Sequence, residues 1–126
     1  MALIAVIDDD YDILDASSLI LRSKGYDVIT ANNPDDGYRI VHENKPELII
    51  LDVMMEEPND GFLLARRFRK ENILNPILMY SSISKSVYYE NDRNEAVGID
   101  EFVEKPISPE ELIEKVELLL KKHNLT

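Results

Sequence analysis

Short runs of apolar residues alternate along the chain with longer segments in which apolar residues recur at helical spacing. The run over residues 3–7 is unbroken and predicts a buried strand. The segment over residues 13–23 has an apolar face with helical periodicity, which predicts an amphipathic helix. Gly25 follows this segment, as expected for a left-handed residue that ends a helix.

The same alternation of strand and helix occurs five times. Asn33-Pro34 and Ser108-Pro109 each place a capping residue before a proline at the first helical position, which indicates two helix starts. Strands are predicted over residues 3–7, 28–30, 48–51, 77–80 and 102–103. Helices are predicted over 13–23, 34–44, 59–71 and 85–96 and from 109 onwards, and the one over 85–96 has the thinnest apolar face.

Continuously apolar strands are buried on both faces, which indicates a parallel sheet between two layers of helices. We therefore expect an α/β fold, a doubly wound (βα)5 domain with a five-stranded parallel sheet. The chain has no linker, low-complexity segment or internal repeat, so residues 1–126 are expected to form one domain.

Side chains capable of chemistry follow the carboxyl ends of the predicted strands. Asp8 and Asp9 follow the first strand and Asp52 follows the third, while Ser81 ends the fourth and Lys105 follows the fifth. In the flavodoxin-like strand order 2-1-3-4-5 these ends are neighbours, at the edge where doubly wound sheets bind ligands. The carboxylates would then meet in a small pocket that repels anions and binds a hard divalent cation.

The charge of the chain restricts its partners. The 126 residues include 14 Lys and Arg against 25 Asp and Glu, which gives a net charge of −11 and disfavours direct binding to nucleic acid or to an anionic membrane. No apolar stretch reaches the length of a membrane span, and the first residues lack the basic region of a signal peptide. The absence of cysteine excludes thiolate metal sites and fits the reducing cytoplasm.

Four groups of residues occur in a fixed order, each at the end of a predicted strand: Asp8-Asp9, Asp52, Ser81-Ser82 and Lys105-Pro106. This ordered set resembles the receiver domain of two-component response regulators, and the resemblance covers essentially the whole chain. Each group alone is a weak signal, whereas the complete set is highly specific.

The resemblance implies that Asp52 accepts a phosphoryl group from a histidine kinase. It also implies that Asp8 and Asp9 bind Mg²⁺ together with Asp52 and the backbone carbonyl of Met54. The chemistry agrees with these roles, because Mg²⁺ prefers oxygen ligands and offsets the repulsion between a carboxylate nucleophile and a phosphoryl group.

Three further roles follow from the same resemblance. Ser81 would hydrogen-bond a phosphoryl oxygen, and Lys105 would form an ion pair with the phosphoryl group. A cis peptide bond between Lys105 and Pro106 would direct the lysine side chain into the pocket. Phe102 would move between outward and inward positions. This movement would change the face formed by the predicted helix over 85–96, the fifth strand and the last helix.

A receiver has no separate substrate, so we expect a phosphoacceptor regulator rather than an enzyme. Its expected partners are a sensor histidine kinase or a phosphotransfer protein, and a downstream target of unknown identity. The sequence does not indicate whether phosphorylation leads to a dimer, and it does not identify the cognate kinase, the stimulus or the output. A stand-alone regulator and a part of a longer one are equally compatible with the sequence.

The main alternative is a phosphatase of the haloacid dehalogenase type, with Asp8 as nucleophile and Asp10 as the second acid. Asp12 stands where that family has threonine or valine, no acidic pair for the metal follows Lys105, and Asp52 would have no role. A flavodoxin-like cofactor binder is disfavoured, because three carboxylates after the first strand would repel the cofactor phosphate. A degenerate receiver that acts only as an interaction module is a third alternative.

Several other residues have simpler interpretations. Asp10 is expected only to cap the first helix. His42 and His123 are expected to be solvated, and neither is expected to bind a metal or to donate a phosphoryl group. Tyr88 and Tyr89 fit half-buried structural positions and a partner surface equally well.

The loop after Asp52 departs from the family pattern. Glu56 stands where proline is expected, and one additional residue precedes Gly61. We hypothesise that Glu56 or Glu57 lies near the pocket and tunes its metal affinity. Unchanged Mg²⁺ affinity and an unchanged lifetime of the phosphorylated state in Glu56→Ala would exclude this role for Glu56.

Overall fold

The computed structural model describes residues 2–84 and 98–125. Its strands are β1 (Leu3–Ile7), β2 (Asp27–Ala31), β3 (Leu48–Leu51), β4 (Ile77–Ser81) and β5 (Glu101–Glu104). All of them pair in parallel, in the order β2-β1-β3-β4-β5. The predicted α/β class and strand order are therefore confirmed.

The described helices are α1 (Tyr11–Ser23), α2 (Pro34–Asn44), α3 (Asp60–Lys70) and α4 (Pro109–Leu125). The predicted ends of these strands and helices agree with the observed ones to within about two residues, the usual uncertainty of such boundaries. The predicted helix over 85–96, with Tyr88 and Tyr89, lies outside the described residues. Among the helices of residues 2–84 and 98–125, none combines the length and the apolar character needed to cross a membrane.

The sheet separates two hydrophobic cores, because successive side chains of a strand point to opposite faces. Ile77 and Met79 of β4 pack with Phe68 in a core between the sheet and helices α2 and α3, called here the α2–α3 core. Leu78 and Tyr80 of the same strand pack in a core with α1 and α4, called the α1–α4 core. Helices α3 and α4 each turn an apolar face to one of these cores, with the buried residues Phe62, Ala65, Phe68, Leu112, Val116 and Leu119.

The helix starts have the capping groups that the sequence predicts. The side chain of Asn33 accepts a hydrogen bond from the N–H of Asp36 at 2.8 Å. Ser108 Oγ accepts one from the N–H of Glu111 at 3.2 Å. Each bond satisfies a backbone donor that has no partner within the helix, so each fixes where its helix begins.

The end of α1 is also set by local chemistry. Gly25 has a φ of 89°, a left-handed conformation that costs least for glycine. Its N–H donates to the carbonyl of Arg22 at 2.9 Å, and the N–H of Tyr26 donates to the carbonyl of Leu21 at 3.3 Å. This pair of bonds is the Schellman arrangement, which turns the chain from α1 into β2.

The guanidinium of Arg69 joins the end of α3 to the loops that precede β4 and β5. It donates to the carbonyls of Ile73 at 2.7 Å, Asn75 at 2.9 Å and Gly98 at 2.9 Å. It also pairs with the carboxylate of Asp100 at 3.0 Å. Because arginine presents several donors in a rigid plane, one side chain holds three segments of the chain together at the amino edge of the sheet.

Candidate functional site

Backbone hydrogen bonds fix the first residue beyond three of the strands. The N–H of Asp8 donates to the carbonyl of Ala31 at 3.1 Å, and the N–H of Asp52 donates to the carbonyl of Ile7 at 3.0 Å. The N–H of Lys105 donates to the carbonyl of Ser81 at 2.8 Å. The sheet pairing thus continues one residue past the strands and holds these side chains at neighbouring positions.

Three carboxylates meet at this edge of the sheet. Asp8, Asp9 and Asp52 each offer an oxygen, and these oxygens lie within 4.8 Å of one another. Asp8 and Asp52 are buried, with exposed fractions of 2% and 6%, while Asp9 is exposed to solvent. The predicted convergence of the acids is therefore present in the structure.

Lys105 enters the same pocket and contacts two of the acids. Its Nζ lies 2.7 Å from Oδ2 of Asp8 and 3.6 Å from Oδ2 of Asp52. The other carboxylate oxygen of Asp8 accepts a hydrogen bond from the N–H of Asp10 at 2.9 Å. The peptide bond between Lys105 and Pro106 is cis, as the resemblance implies. In this state the lysine is bonded most closely to Asp8 rather than to Asp52.

The electrostatics of the pocket follow from burial and from the excess of acids. Burial and the charge of Asp8 raise the pKa of Asp52 to about 6, although Lys105 and the Ser81 hydroxyl act in the opposite direction. Burial alone would lower the pKa of the Lys105 ammonium, but its hydrogen bond to Asp8 and the charge of Asp52 raise that pKa. Among residues 2–84 and 98–125, one lysine faces three carboxylates, so the acids outnumber the cations there.

The donor set fits a hard divalent cation. Its side-chain donors, Asp8, Asp9 and Asp52, are all carboxylates, and the two buried ones, Asp8 and Asp52, repel each other. Buried carboxylates at this separation are stabilised when a cation lies between them, and Mg²⁺ prefers oxygen ligands of this kind.

Ser81 and Phe102 lie where the sequence places them. Ser81 is fully buried at the end of β4, and its hydroxyl lowers the pKa of the neighbouring Asp52 carboxylate. Phe102 is only 2% exposed and lies in the α2–α3 core, so the structure has it in an inward position. The neighbouring Ser82 is exposed.

The loop after Asp52 is closed by its own polar groups. The N–H of Glu57 donates to a carboxylate oxygen of Asp60 at 2.7 Å, and the N–H of Gly61 donates to the carbonyl of Val53 at 2.7 Å. Glu56 and Glu57 are both exposed. The loop contains a turn at residues 58–59, and a role of Glu56 in metal affinity stays a prediction.

Asp10 has the capping role that the sequence predicts, whereas the two histidines are less free in the structure than expected. Asp10 caps α1 as predicted, since its side chain accepts the N–H of Asp12 at 2.9 Å. His42 is exposed as expected, but its Nε2 lies 2.8 Å from a carboxylate oxygen of Glu71, the residue that follows α3, a partner that the sequence pattern does not indicate. His123 is partly buried rather than fully solvated.

Comparison with known proteins agrees with this geometry. The family model described as the response regulator receiver domain matches residues 4–117. The alkaline phosphatase synthesis transcriptional regulatory protein PhoP of Bacillus subtilis (strain 168) is 31% identical over 122 residues. That alignment covers 97% of this chain and 50% of PhoP, so the chain spans about half the length of this relative.

Solved structures show the same similarity. A CheY-like receiver domain protein from Methanospirillum hungatei JF-1 has a TM-score of 0.86 at 25% identity, and the match covers 98% of this chain and 97% of that one. A two-component response regulator from Clostridium difficile has a TM-score of 0.86 at 28% identity, over 98% of this chain and 99% of that one. Family, fold and pocket agree, and the chain belongs to the response regulator receiver domains.

Proposed function

We propose that this domain accepts a phosphoryl group on Asp52 from a phosphohistidine of a sensor histidine kinase or of a phosphotransfer protein, with Mg²⁺ as cofactor. The observation that carries the proposal is the placement of Asp52, buried between a second acid, a lysine and a serine hydroxyl. Each of these groups has a task in phosphoryl transfer, which depends mostly on positioning and on stabilisation of charge.

The residues that would hold the cation are Asp8, Asp9, Asp52 and the backbone carbonyl of Met54. When bound, Mg²⁺ supplies positive charge that offsets the repulsion between the carboxylate and the phosphoryl group. The exposed Asp9 lies on the solvent side of this set, and the buried Asp8 is held in place by the N–H of Asp10.

The covalent step uses the ionised form of Asp52. One of its oxygens forms a bond to phosphorus while the bond from phosphorus to the imidazole nitrogen of the donor breaks, and the electron pair leaves with the imidazole. Since the pKa of Asp52 is about 6 without a cation, the carboxylate is largely ionised at neutral pH. The nucleophile therefore needs no separate base.

Lys105 and Ser81 would bind the new phosphoryl group. Lys105 lies within 3.6 Å of Asp52 and can exchange its contact with Asp8 for one with a phosphoryl oxygen. The Ser81 hydroxyl can donate to a second oxygen. Hydrogen bonds to charged groups contribute about 1.5–3 kcal/mol each, enough to bias an equilibrium between two conformations.

The switch would involve Ser81 and Phe102 and would act through the face that includes β5 and α4. The downstream target is unassigned, direct contact with nucleic acid is not expected from a net charge of −11, and a phosphorylation-linked dimer is compatible with the proposal. A cytoplasmic location belongs to the same proposal, because the phosphodonor domains of sensor kinases are cytoplasmic.

Incubation with acetyl phosphate tests the proposal. We expect one phosphoryl adduct per chain, dependent on Mg²⁺ and absent in Asp52→Asn, measured by intact mass and by peptide mapping. Asp10→Asn is a suitable control, because it removes a neighbouring acid and retains a residue that caps α1.

The same experiment distinguishes the alternatives. An adduct on Asp8 would instead support a phosphatase of the haloacid dehalogenase type. A folded wild-type protein that acquires no adduct with Mg²⁺ present would indicate a degenerate receiver.

A further inference from the structure

Tyr80 is a polar residue in the α1–α4 core that the sequence pattern does not single out, because it completes the apolar run of β4. Its side chain is only 6% exposed. Its hydroxyl accepts a hydrogen bond from the backbone N–H of Ile107 at 3.2 Å. Tyrosine can enter a core when its hydroxyl has such a partner, so a contact to the loop between β5 and α4 accounts for its presence.

Two consecutive residues of β4 hold the segment that carries Lys105. The carbonyl of Ser81 accepts the N–H of Lys105 at 2.8 Å, and the hydroxyl of Tyr80 accepts the N–H of Ile107. Pro106 between them has no N–H to donate. The backbone is therefore hydrogen-bonded to β4 at Lys105 itself, through the carbonyl of Ser81, and two residues later at Ile107, through the side chain of Tyr80.

The ring of Tyr80 also faces the lysine. Nζ of Lys105 lies 5.6 Å from the centre of the ring, within the range of a cation–π contact. The same Nζ lies 2.7 Å from Asp8 and 3.6 Å from Asp52. The ammonium group is thus placed between the aromatic ring and the two acids.

We infer that Tyr80 is a positioning residue for Lys105, which it holds toward Asp8 and Asp52 through the Ile107 hydrogen bond and the contact of its ring. The inference rests on the proposed function of this pocket. Its physical basis is the flexibility of lysine, whose long side chain loses rotamer entropy when it is fixed in one position. A fixed backbone reduces the number of positions that the ammonium group can reach. A larger fraction of the molecules therefore has this group beside Asp8 and Asp52 when a phosphoryl group arrives.

Tyr80→Phe tests the inference, because it removes the hydroxyl and retains the ring. We expect phosphorylation of Asp52 by acetyl phosphate to slow about three- to tenfold, the effect of losing one hydrogen bond that positions a charged group. Mg²⁺ affinity should change little, since Asp8, Asp9 and Asp52 remain in place. Tyr26→Phe is the matched control, because Tyr26 packs against the same core at the opposite end of the sheet and should leave the rate unchanged.

A double-mutant cycle separates positioning from a general effect on packing. If Tyr80 acts through Lys105, Tyr80→Phe should cause no further loss of rate in a Lys105→Ala protein. An equal loss of rate in both backgrounds would overturn the inference, and so would a wild-type rate in Tyr80→Phe. Thermal unfolding of each variant checks that the protein is folded.

A measurement without phosphate keeps the inference distinct from the proposed function. An ammonium group held in a hydrogen bond exchanges its protons slowly, so the NH₃⁺ signal of Lys105 should be visible by NMR in the wild type and in Tyr26→Phe. It should weaken or vanish in Tyr80→Phe, together with a shift of the Ile107 amide resonance. An unchanged Lys105 signal in Tyr80→Phe overturns the inference even if the wild type is phosphorylated. A wild type that is never phosphorylated contradicts the proposed function, and the NMR result then decides the positioning alone.

Discussion

Asp52→Asn should raise the free energy of unfolding by about 2–3 kcal/mol at neutral pH in the absence of divalent cations. The reason is the cost of keeping this carboxylate ionised, since burial and the charge of Asp8 raise its pKa to about 6. Asparagine has nearly the same shape and carries no charge, so it removes that cost. Chemical denaturation in the presence of a chelator measures the effect.

The gain should depend on pH in a defined direction. A folded-state pKa of about 6, above the ordinary aspartate value of 3.8, means that the folded protein binds this proton more tightly than the unfolded chain does. The contribution of Asp52 to stability therefore falls as the pH rises from about 4 to about 6 and is constant above that range. The difference between Asp52→Asn and the wild type should vanish below about pH 4 and reach its full value above about pH 6.

Two comparisons make this prediction specific. Asp15→Asn removes one negative charge from an exposed position on α1 and should change stability by no more than about 0.5 kcal/mol. Mg²⁺ at about 100 times its Kd should stabilise the wild type by roughly 2.7 kcal/mol and should stabilise Asp52→Asn much less, which narrows the difference. If Asp52→Asn is no more stable than the wild type at neutral pH, the ionised carboxylate of Asp52 does not destabilise the folded protein.

Gly61→Ala should destabilise the protein by on the order of 3 kcal/mol and should abolish phosphorylation of Asp52. A Cβ at this position would lie 2.0 Å from the carbonyl oxygen of Asp52 and 2.7 Å from Cα of Val53. Both contacts are with backbone, so the end of β3 would have to move. Movement there would displace Asp52, the proposed phosphoacceptor, and denaturation and phosphorylation assays measure the two effects.

Gly37→Ala is the control for this substitution. Its Cβ would meet a side-chain methyl of Ile7 at 2.8 Å, a contact with a side chain rather than with backbone. Alanine also stabilises a helix relative to glycine by about 1 kcal/mol, which offsets part of the clash. We expect a smaller loss of stability than in Gly61→Ala, and retained phosphorylation. Equal effects of the two substitutions would contradict the importance of the close approach at Gly61.

Much of the fold can be predicted because local and tertiary signals coincide. The strands that precede Asp8 and Asp52 are short, continuous apolar runs, and such runs are typical of a sheet covered on both faces. Asn33 and Ser108 define helix starts through hydrogen bonds within a few residues. Once the strand order is given, the meeting of the acids follows from topology alone.

The arrangement of contacts within the pocket could not be predicted in the same way. The sequence places Lys105 at the pocket, but its closer bond to Asp8 than to Asp52 depends on the packing of both side chains. The hydrogen bond of Tyr80 crosses to a loop 27 residues away, which no local pattern indicates. The inward position of Phe102 likewise depends on the space available in the α2–α3 core.

Because successive side chains of β4 point to opposite faces of the sheet, substitutions on either face could influence the proposed phosphorylation site. Ser81 lies beside Asp52, whereas Tyr80, its neighbour in the chain, belongs to the α1–α4 core and contacts the lysine segment. Substitutions on the α1 and α4 side could therefore adjust how long a phosphoryl group persists without redesign of the opposite layer. A set of receivers with graded signal durations could be built from this scaffold.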